Sequence, residues 1–394
     1  MDVKNKYNQK FLVFVFLSLC WICSQTLSLI HYGFREGGDT GRYLSGANML
    51  INGKLPVDDQ LSYLGYDMFV ALCLFFGGGE VGVVLVQMAL TAIAAYCIFK
   101  TGETLFDYRS GAIASFAYIA YPPIHEWDFF ILTDSLFTTM LIISTWCLIK
   151  SKTNLVKICT VLIFLFTFII RPNGIILIGA FLVFYLYTLW SNGQKKLFIC
   201  TLISFLLLFT LIVNYEGSIF KHITIVKWYS DGIIIGKYDK LHLFNNGNPG
   251  LSALITETKS PLMQIFYFII EKPIYFSELF FYKIWYFLIH TRPFYSTFHN
   301  LFVLVTLMPA YFFVLWGLKR KTKHENYKLF IFAIIFFQTL NVGLTVADWD
   351  GRFLEVVLPQ IFLLASGGFN IIFDMSKKYL YKYSGRLTSL RPPT

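Results

Sequence analysis

Apolar residues gather in long runs along this chain, at 11–30, 80–99, 110–123, 133–149, 157–170, 174–190, 197–213, 300–318, 328–346 and 352–373. Most of these runs approach the roughly 20 residues that cross a bilayer as a helix. The pattern therefore predicts about ten spans, with both termini on the same side of a membrane. The run Leu64 to Phe76 is as apolar but only 13 residues long, which suits a juxtamembrane or re-entrant helix. Before it, Tyr43, Leu44, Ala47, Leu50 and Ile51 fall on one face at helical spacing. Asp39 or Thr40 can cap that short helix, and Asn52-Gly53 followed by Pro56 ends it. The stretch 31–79 thus reads as a first outer loop carrying amphipathic juxtamembrane helices.

A second long outer loop is expected at 214–299. Its middle, Lys237 to Thr258, is polar, with a turn cluster at Asn245-Asn246-Gly247-Asn248-Pro249-Gly250. Pro261 to Ile270 and Leu279 to Ile289 are aromatic-rich and interrupted by charge, as helices lying on the outer membrane face would be.

Composition agrees with a membrane protein. The chain is 56% hydrophobic and only 14% charged, where soluble domains carry roughly 25% charged residues. The fold class expected is all-α, a polytopic transmembrane helical bundle forming one domain over 1–394. The net charge of +10 taken alone would suit a nucleic-acid partner, but its distribution does not. With the N-terminus inside, 20 Lys and Arg fall on the cytoplasmic side, including Lys319-Arg320-Lys321 and the tail from Lys377 to Arg391. The short outer loops hold five: Arg35, Arg42, Lys54, Arg171 and Arg352. This is the asymmetry that sets topology in membrane proteins. Lys4, Lys6 and Lys10 before the first run read as the flank of an uncleaved signal anchor.

Several motifs carry less than they suggest. All seven cysteines sit in or beside apolar runs, so they give no disulfide framework, and Cys20-x-x-Cys23 lacks a second pair for zinc. Gly77-Gly78-Gly79-Glu80-Val81-Gly82 matches a dinucleotide fingerprint but follows no strand. His125-Glu126 opens like a zincin motif, yet position 129 is Phe.

The charges that remain cluster at the outer helix ends. They are Asp39 and Arg42 in Gly37-Gly38-Asp39-Thr40-Gly41-Arg42, Glu126, Asp128 and Asp134 around one turn, Arg171 in Arg171-Pro172-Asn173-Gly174, and Asp348, Asp350 and Arg352 before the last run. Lys283 and Arg292 flank the end of the large loop. Carboxylates can orient or deprotonate a hydroxyl acceptor. Arg and Lys can hold a phosphate. The ordinary reading of each acid is interfacial solvation or helix capping, and Arg171 reads as a lock on the turn between two short helices.

The order of these motifs resembles the C-type superfamily of membrane glycosyltransferases, in particular the protein O-mannosyltransferases and the lipid A aminoarabinose transferase. The resemblance rests on a first helix followed by an early Asp (Asp39) and a juxtamembrane helix at Arg42–Leu50. It rests further on Thr133-Asp134-Ser135-Leu136, on Arg171-Pro172-Asn173-Gly174, and on Gly351-Arg352-Phe353-Leu354 with Pro359. It covers roughly 1–190 and 340–375. Many members carry an acidic pair in the first loop. Here Thr40 follows Asp39, which leaves any second carboxylate unidentified.

The resemblance implies an inverting transfer of a hexosyl or pentosyl group from a polyprenyl-phosphate donor to a glycan, lipid or protein acceptor at the extracytoplasmic face. Asp39 and Asp134 would be the catalytic acids. Arg42, Arg352, Lys283, Arg292 and Asp128 would bind substrate. A monophosphate can leave against fixed cations, so no cofactor is required, and a divalent metal stays open as an alternative. A bacterial inner membrane is the expected location. Two rivals remain: a polymerase or ligase of lipid-linked surface polysaccharide, and a flippase of the same lipids.

Overall fold

The computed structural model describes residues 3–214, 225–236, 250–258 and 260–389. Most of the polar middle of the large loop, including its turn cluster up to Pro249, lies outside them. The described residues are helical, with two isolated β-bridges in place of a sheet. In chain order the helices are α1 (Val3–Tyr32), α2 (Thr40–Ile51), α3 (Leu64–Phe75), α4 (Gly79–Leu105), α5 (Tyr108–Ile119), α6 (Pro122–Glu126), α7 (Thr133–Lys150), α8 (Asn154–Ile170) and α9 (Ile175–Ser191). Then come α10 (Lys195–Asn214), α11 (Ile225–Ser230), α12 (Ala253–Glu257), α13 (Pro261–Glu271), α14 (Pro273–Ile289), α15 (Thr297–Lys319), α16 (Glu325–Leu344), α17 (Arg352–Glu355) and α18 (Leu358–Ser389).

Each expected apolar run is helical, though 110–123 is broken between α5 and α6 and 352–373 between α17 and α18. Among the described residues six helical stretches are long and apolar enough to cross a membrane: Asn8–Tyr32, Gly79–Leu105, Pro172–Ser191, Thr297–Lys319, Glu325–Leu344 and Leu358–Lys377. The other four expected spans are α5, α7, α8 and α10. Of these, α5 has 12 residues and rises only about 18 Å, short of a hydrocarbon core of about 30 Å. Its buried Ser110, Gly111 and Ser115 face protein. The 12-residue α3 is likewise a short apolar helix.

The chain divides into two compact units. The first takes Met1–Leu177, Met308–Phe332 and Glu355–Thr394, and the second Ile178–Leu307 and Ala333–Leu354. In the first unit α4 packs on α5 and α7, α5 on α18, α7 on α8, and α2 on α3. Small residues set how close these helices come. The backbones of Gly102 and Gly111 touch where α4 meets α5, and Gly317 and Gly368 seat α15 against α18. Without a hydrophobic drive between helices in lipid, such close backbone approach supplies van der Waals packing.

The buried face of α2 differs from expectation. Thr40, Tyr43, Gly46 and Ala47 are buried, while Ile51 is exposed. The face is centred on Gly46 because α3 approaches there, with the Asp67 carboxyl in the space a Cβ would fill. In the second unit Tyr229 stacks on Phe276 at 4.6 Å. Gly236 N–H donates to Ala347 O at 2.8 Å, and Ala347 N–H to Ile234 O at 3.0 Å.

Candidate functional site

In the first unit the glycine-rich lead-in to α2 is fastened before the helix starts. Thr40 Oγ1 accepts from Gly37 N–H at 2.9 Å and donates to Ile131 O at 3.3 Å. Arg35 N–H donates to Phe129 O at 3.1 Å. These bonds tie the lead-in to the segment before α7. Asp39 holds the N-cap position, yet its side chain makes no capping hydrogen bond. Its carboxylate is about half exposed, with Arg42 Nη2 at 3.7 Å from Oδ1.

Arg42 is held more tightly than Asp39. Its guanidinium lies 4.3 Å from the Tyr63 ring centre and 5.0 Å from that of Tyr43, and Nη2 donates to the Tyr43 hydroxyl at 3.1 Å. Burial works against its charge, but the Tyr43 hydroxyl, Tyr63 and Asp39 outweigh it and raise the Arg42 pKa. Arg42 Nε is buried without a hydrogen-bond partner.

Beneath Arg42 lies Asp67, on α3. It is 1% exposed, and neither carboxyl oxygen has a partner. Burial pushes its pKa up to about 7, with Arg42 pulling the other way. Beside it, Tyr66 packs on Tyr43 at 4.8 Å and donates to Gln87 Oε1 at 2.8 Å. The sequence reading passed over Asp67 as part of an apolar run. A lone acid in such a run is itself a signal, because burying it is costly.

Asp134 and Arg171 meet in a buried ion pair, with Nη1 at 2.7 Å from Oδ1. The pair joins the first turn of α7 to the turn after α8. Arg171 also lies over Phe137. Asp128 sits in a different buried cluster, accepting from Gln25 Nε2 at 2.8 Å and from Ser135 Oγ, with His125 Nδ1 at 3.0 Å. Glu355, also passed over in the sequence, is buried and accepts from Trp127 Nε1.

The second unit gathers Arg292, Arg352, Asp348 and Asp350. Asn300 clamps the Arg292 backbone by accepting from its N–H and donating to its O, both at 2.9 Å. The Arg292 guanidinium then donates to Tyr286 O at 2.5 Å and to Asp348 O at 3.0 Å. Arg352 Nε lies 3.2 Å from Asp350 Oδ1. Burial, and then the Asp350 carboxylate, push the Asp348 pKa well up against the pull of Arg292 and Arg352. The carboxyls and guanidiniums therefore form one electrostatic cluster, with Arg352 about a quarter exposed and Arg292 buried.

Lys283 is enclosed. Its Nζ donates to Thr345 O at 2.7 Å and lies 3.6 Å from the Tyr229 ring centre. Burial drives its pKa well below the usual lysine value.

The seven residues singled out from the sequence thus fall into separate places. Asp39 and Arg42 stand together. Arg292 and Arg352 meet around Asp348. Asp134 is paired with Arg171, Asp128 belongs to the His125 cluster, and Lys283 is sealed. Among the described residues no three His, Cys, Asp or Glu side chains converge as a metal site would need.

Residues 66–215 match the sequence profile of the dolichyl-phosphate-mannose-protein mannosyltransferase family. No curated protein sequence matches the chain. The profile match agrees with the resemblance to C-type membrane glycosyltransferases.

Proposed function

We propose that this chain is a membrane glycosyltransferase that moves one sugar from a polyprenyl phosphate to an acceptor hydroxyl at the extracytoplasmic face of a bacterial inner membrane. The observation that carries the reading is the state of Asp39. Its carboxylate stands at the head of α2, half exposed and unused as a cap. A carboxylate that stabilised the helix alone would bond its N–H groups. This one is free to meet a hydroxyl.

In the proposed reaction Asp39 accepts the proton of the acceptor hydroxyl as that oxygen bonds to the anomeric carbon. The bond from that carbon to the phosphate oxygen breaks on the opposite face, so configuration inverts. The electron pair leaves with the phosphate, whose charge a fixed cation offsets; Arg352, partly exposed, is a cation of the second unit open to such a role, and Arg292 holds the Asp348 segment beside it. Arg42 lines the acceptor side by its 3.7 Å approach to Asp39. Asp134 and Asp128 support from within, as buried groups whose partners orient α7 and the turn before it. The scheme uses no metal, and mannose or another hexose or pentose would serve the same chemistry.

The test is transfer by the purified protein in lipid bilayers, from radiolabelled polyprenyl-phosphate sugars to membrane extract. Wild-type transfer with a loss of about a hundredfold in a well-folded Asp39→Asn variant supports the reading, given typical general-base contributions. Transfer untouched by that change returns Asp39 to a structural role. Activity on a diphosphate-linked glycan alone moves the protein to the polymerase or ligase class.

A further inference from the structure

We propose that Asp67 is a positioning residue of this transfer site, drawing the Arg42 guanidinium toward α3 across the gap left by Gly46 and so keeping the Asp39 carboxylate from being fully neutralised. The inference rests on the transfer reading above for its kinetic consequence, though not for the electrostatic pull between Arg42 and Asp67.

Three observations point to it. The Asp67 carboxyl is almost wholly buried, and neither oxygen has a hydrogen-bond partner. A carboxylate in that state costs stability unless something offsets it, so filling space does not explain it. A leucine would fill the same space without the penalty.

Second, room has been left for it. The carboxyl rests against Gly46, where any side chain would displace it. Gly46 lies one turn beyond Arg42 on α2, and residues so spaced are neighbours on one helix face. Asp39 lies three residues before Arg42, so Arg42 stands between the two acids along α2.

Third, the unused atoms are complementary. Arg42 is the charged group that acts on Asp67 among the described residues, and Arg42 Nε is buried without a partner. Its other edge serves Tyr43 and, at 3.7 Å, Asp39. That distance is long for a charge-assisted hydrogen bond, which runs about 2.7–2.9 Å. Two carboxylates thus compete for one guanidinium. Tyr43 and Tyr63 pack on the Arg42 guanidinium and Tyr66 packs on Tyr43, and the Asp134–Arg171 ion pair acts on Tyr66 and Tyr43 from α7 and the turn after α8. Removing the Asp67 charge leaves Arg42 to close on Asp39, and the base is lost to the ion pair.

The test uses the full chain in lipid bilayers and has two arms. The first reads that pull without any assay of transfer. Burial pushes the Asp67 pKa up to about 7, and the protonated-carboxyl infrared band that D67N removes reports its midpoint. R42Q should raise that midpoint, because a nearby cation favours the carboxylate. An unmoved midpoint overturns the inference. The second arm reads transfer. D67N should lower kcat about tenfold or more, within the range a misplaced group can cost, and should leave the donor KM unchanged. D67N added to R42Q should cost nothing further, since Asp67 acts through Arg42. Gly46→Ala, which closes the gap and keeps every charge, should reproduce the kcat loss. D67N at wild-type kcat overturns the positioning role. A moved midpoint in a protein that transfers no sugar supports the pull and counts against the transfer reading instead.

Discussion

Asp134 and Arg171 lie 37 residues apart in sequence and 2.7 Å apart in space, with both side chains at least nine-tenths buried. An ion pair so enclosed depends on both members. Removing one leaves an uncompensated buried charge, which typically costs about 3–5 kcal/mol. Arg171→Met is expected to lower the thermal unfolding midpoint sharply. The double change Arg171→Met with Asp134→Leu should recover most of the loss. Thermal unfolding in detergent or bilayers, run on both variants, checks this.

Asp39 should behave in the opposite way. It makes no capping bond, so Asp39→Ala is expected to leave stability within about 0.5 kcal/mol, as for surface changes. A working cap would cost about 0.5–2 kcal/mol. The same variant should lose about a hundredfold in transfer. A marked drop in unfolding midpoint with transfer intact would show a capping role that the geometry does not provide.

Arg292 and Arg352 divide along the same line. Arg292 donates to Tyr286 O, Thr291 O and Asp348 O from a buried position. Arg292→Ala should therefore destabilise the fold, since each orphaned buried acceptor costs about 1–3 kcal/mol. Arg352 is partly exposed and pairs with Asp350. Arg352→Gln should keep the unfolding midpoint close to wild type and weaken use of the phosphate donor about tenfold, in keeping with the loss of one charged hydrogen bond. Donor titrations beside thermal melts separate the two effects.

Lys283 gives stability a pH dependence. Its folded pKa is depressed by burial, whereas the unfolded chain holds it near the ordinary lysine value of about 10.4. Between those values the unfolded state binds more protons, so stability falls as pH drops from above about 10.4 toward the folded pKa and then levels. Lys283→Met should remove this slope and raise the unfolding midpoint at neutral pH. The wild-type and variant midpoints, compared from neutral to alkaline pH, decide it. A variant that melts lower at neutral pH would mean that the bond to Thr345 O outweighs burial of the amine.

The sequence by itself determined the class of this protein. Apolar runs are local, and a run of about 20 such residues has few choices beyond a helix in lipid. The helices therefore appear where the runs are, and the basic residues between them predict sidedness. The order of short motifs was legible too, because each depends on neighbours in the chain, and the family profile agrees with it over 66–215.

The tertiary structure decided which of the candidate charges are available. Asp39 and Asp134 look alike in sequence, each an acid at the head of a helix. One is half exposed and the other is locked to Arg171. Lys283 and Arg352 are both cations near helix ends in sequence, yet one is sealed over Tyr229 and the other reaches solvent. Asp67 lies within an apolar run in sequence, and only packing sets its carboxyl against Gly46 and within the electrostatic reach of Arg42. The physical reason is range. Hydrophobic periodicity is written within one or two turns of a helix. The fate of a buried charge depends on a partner that the chain brings near only after the helices have packed.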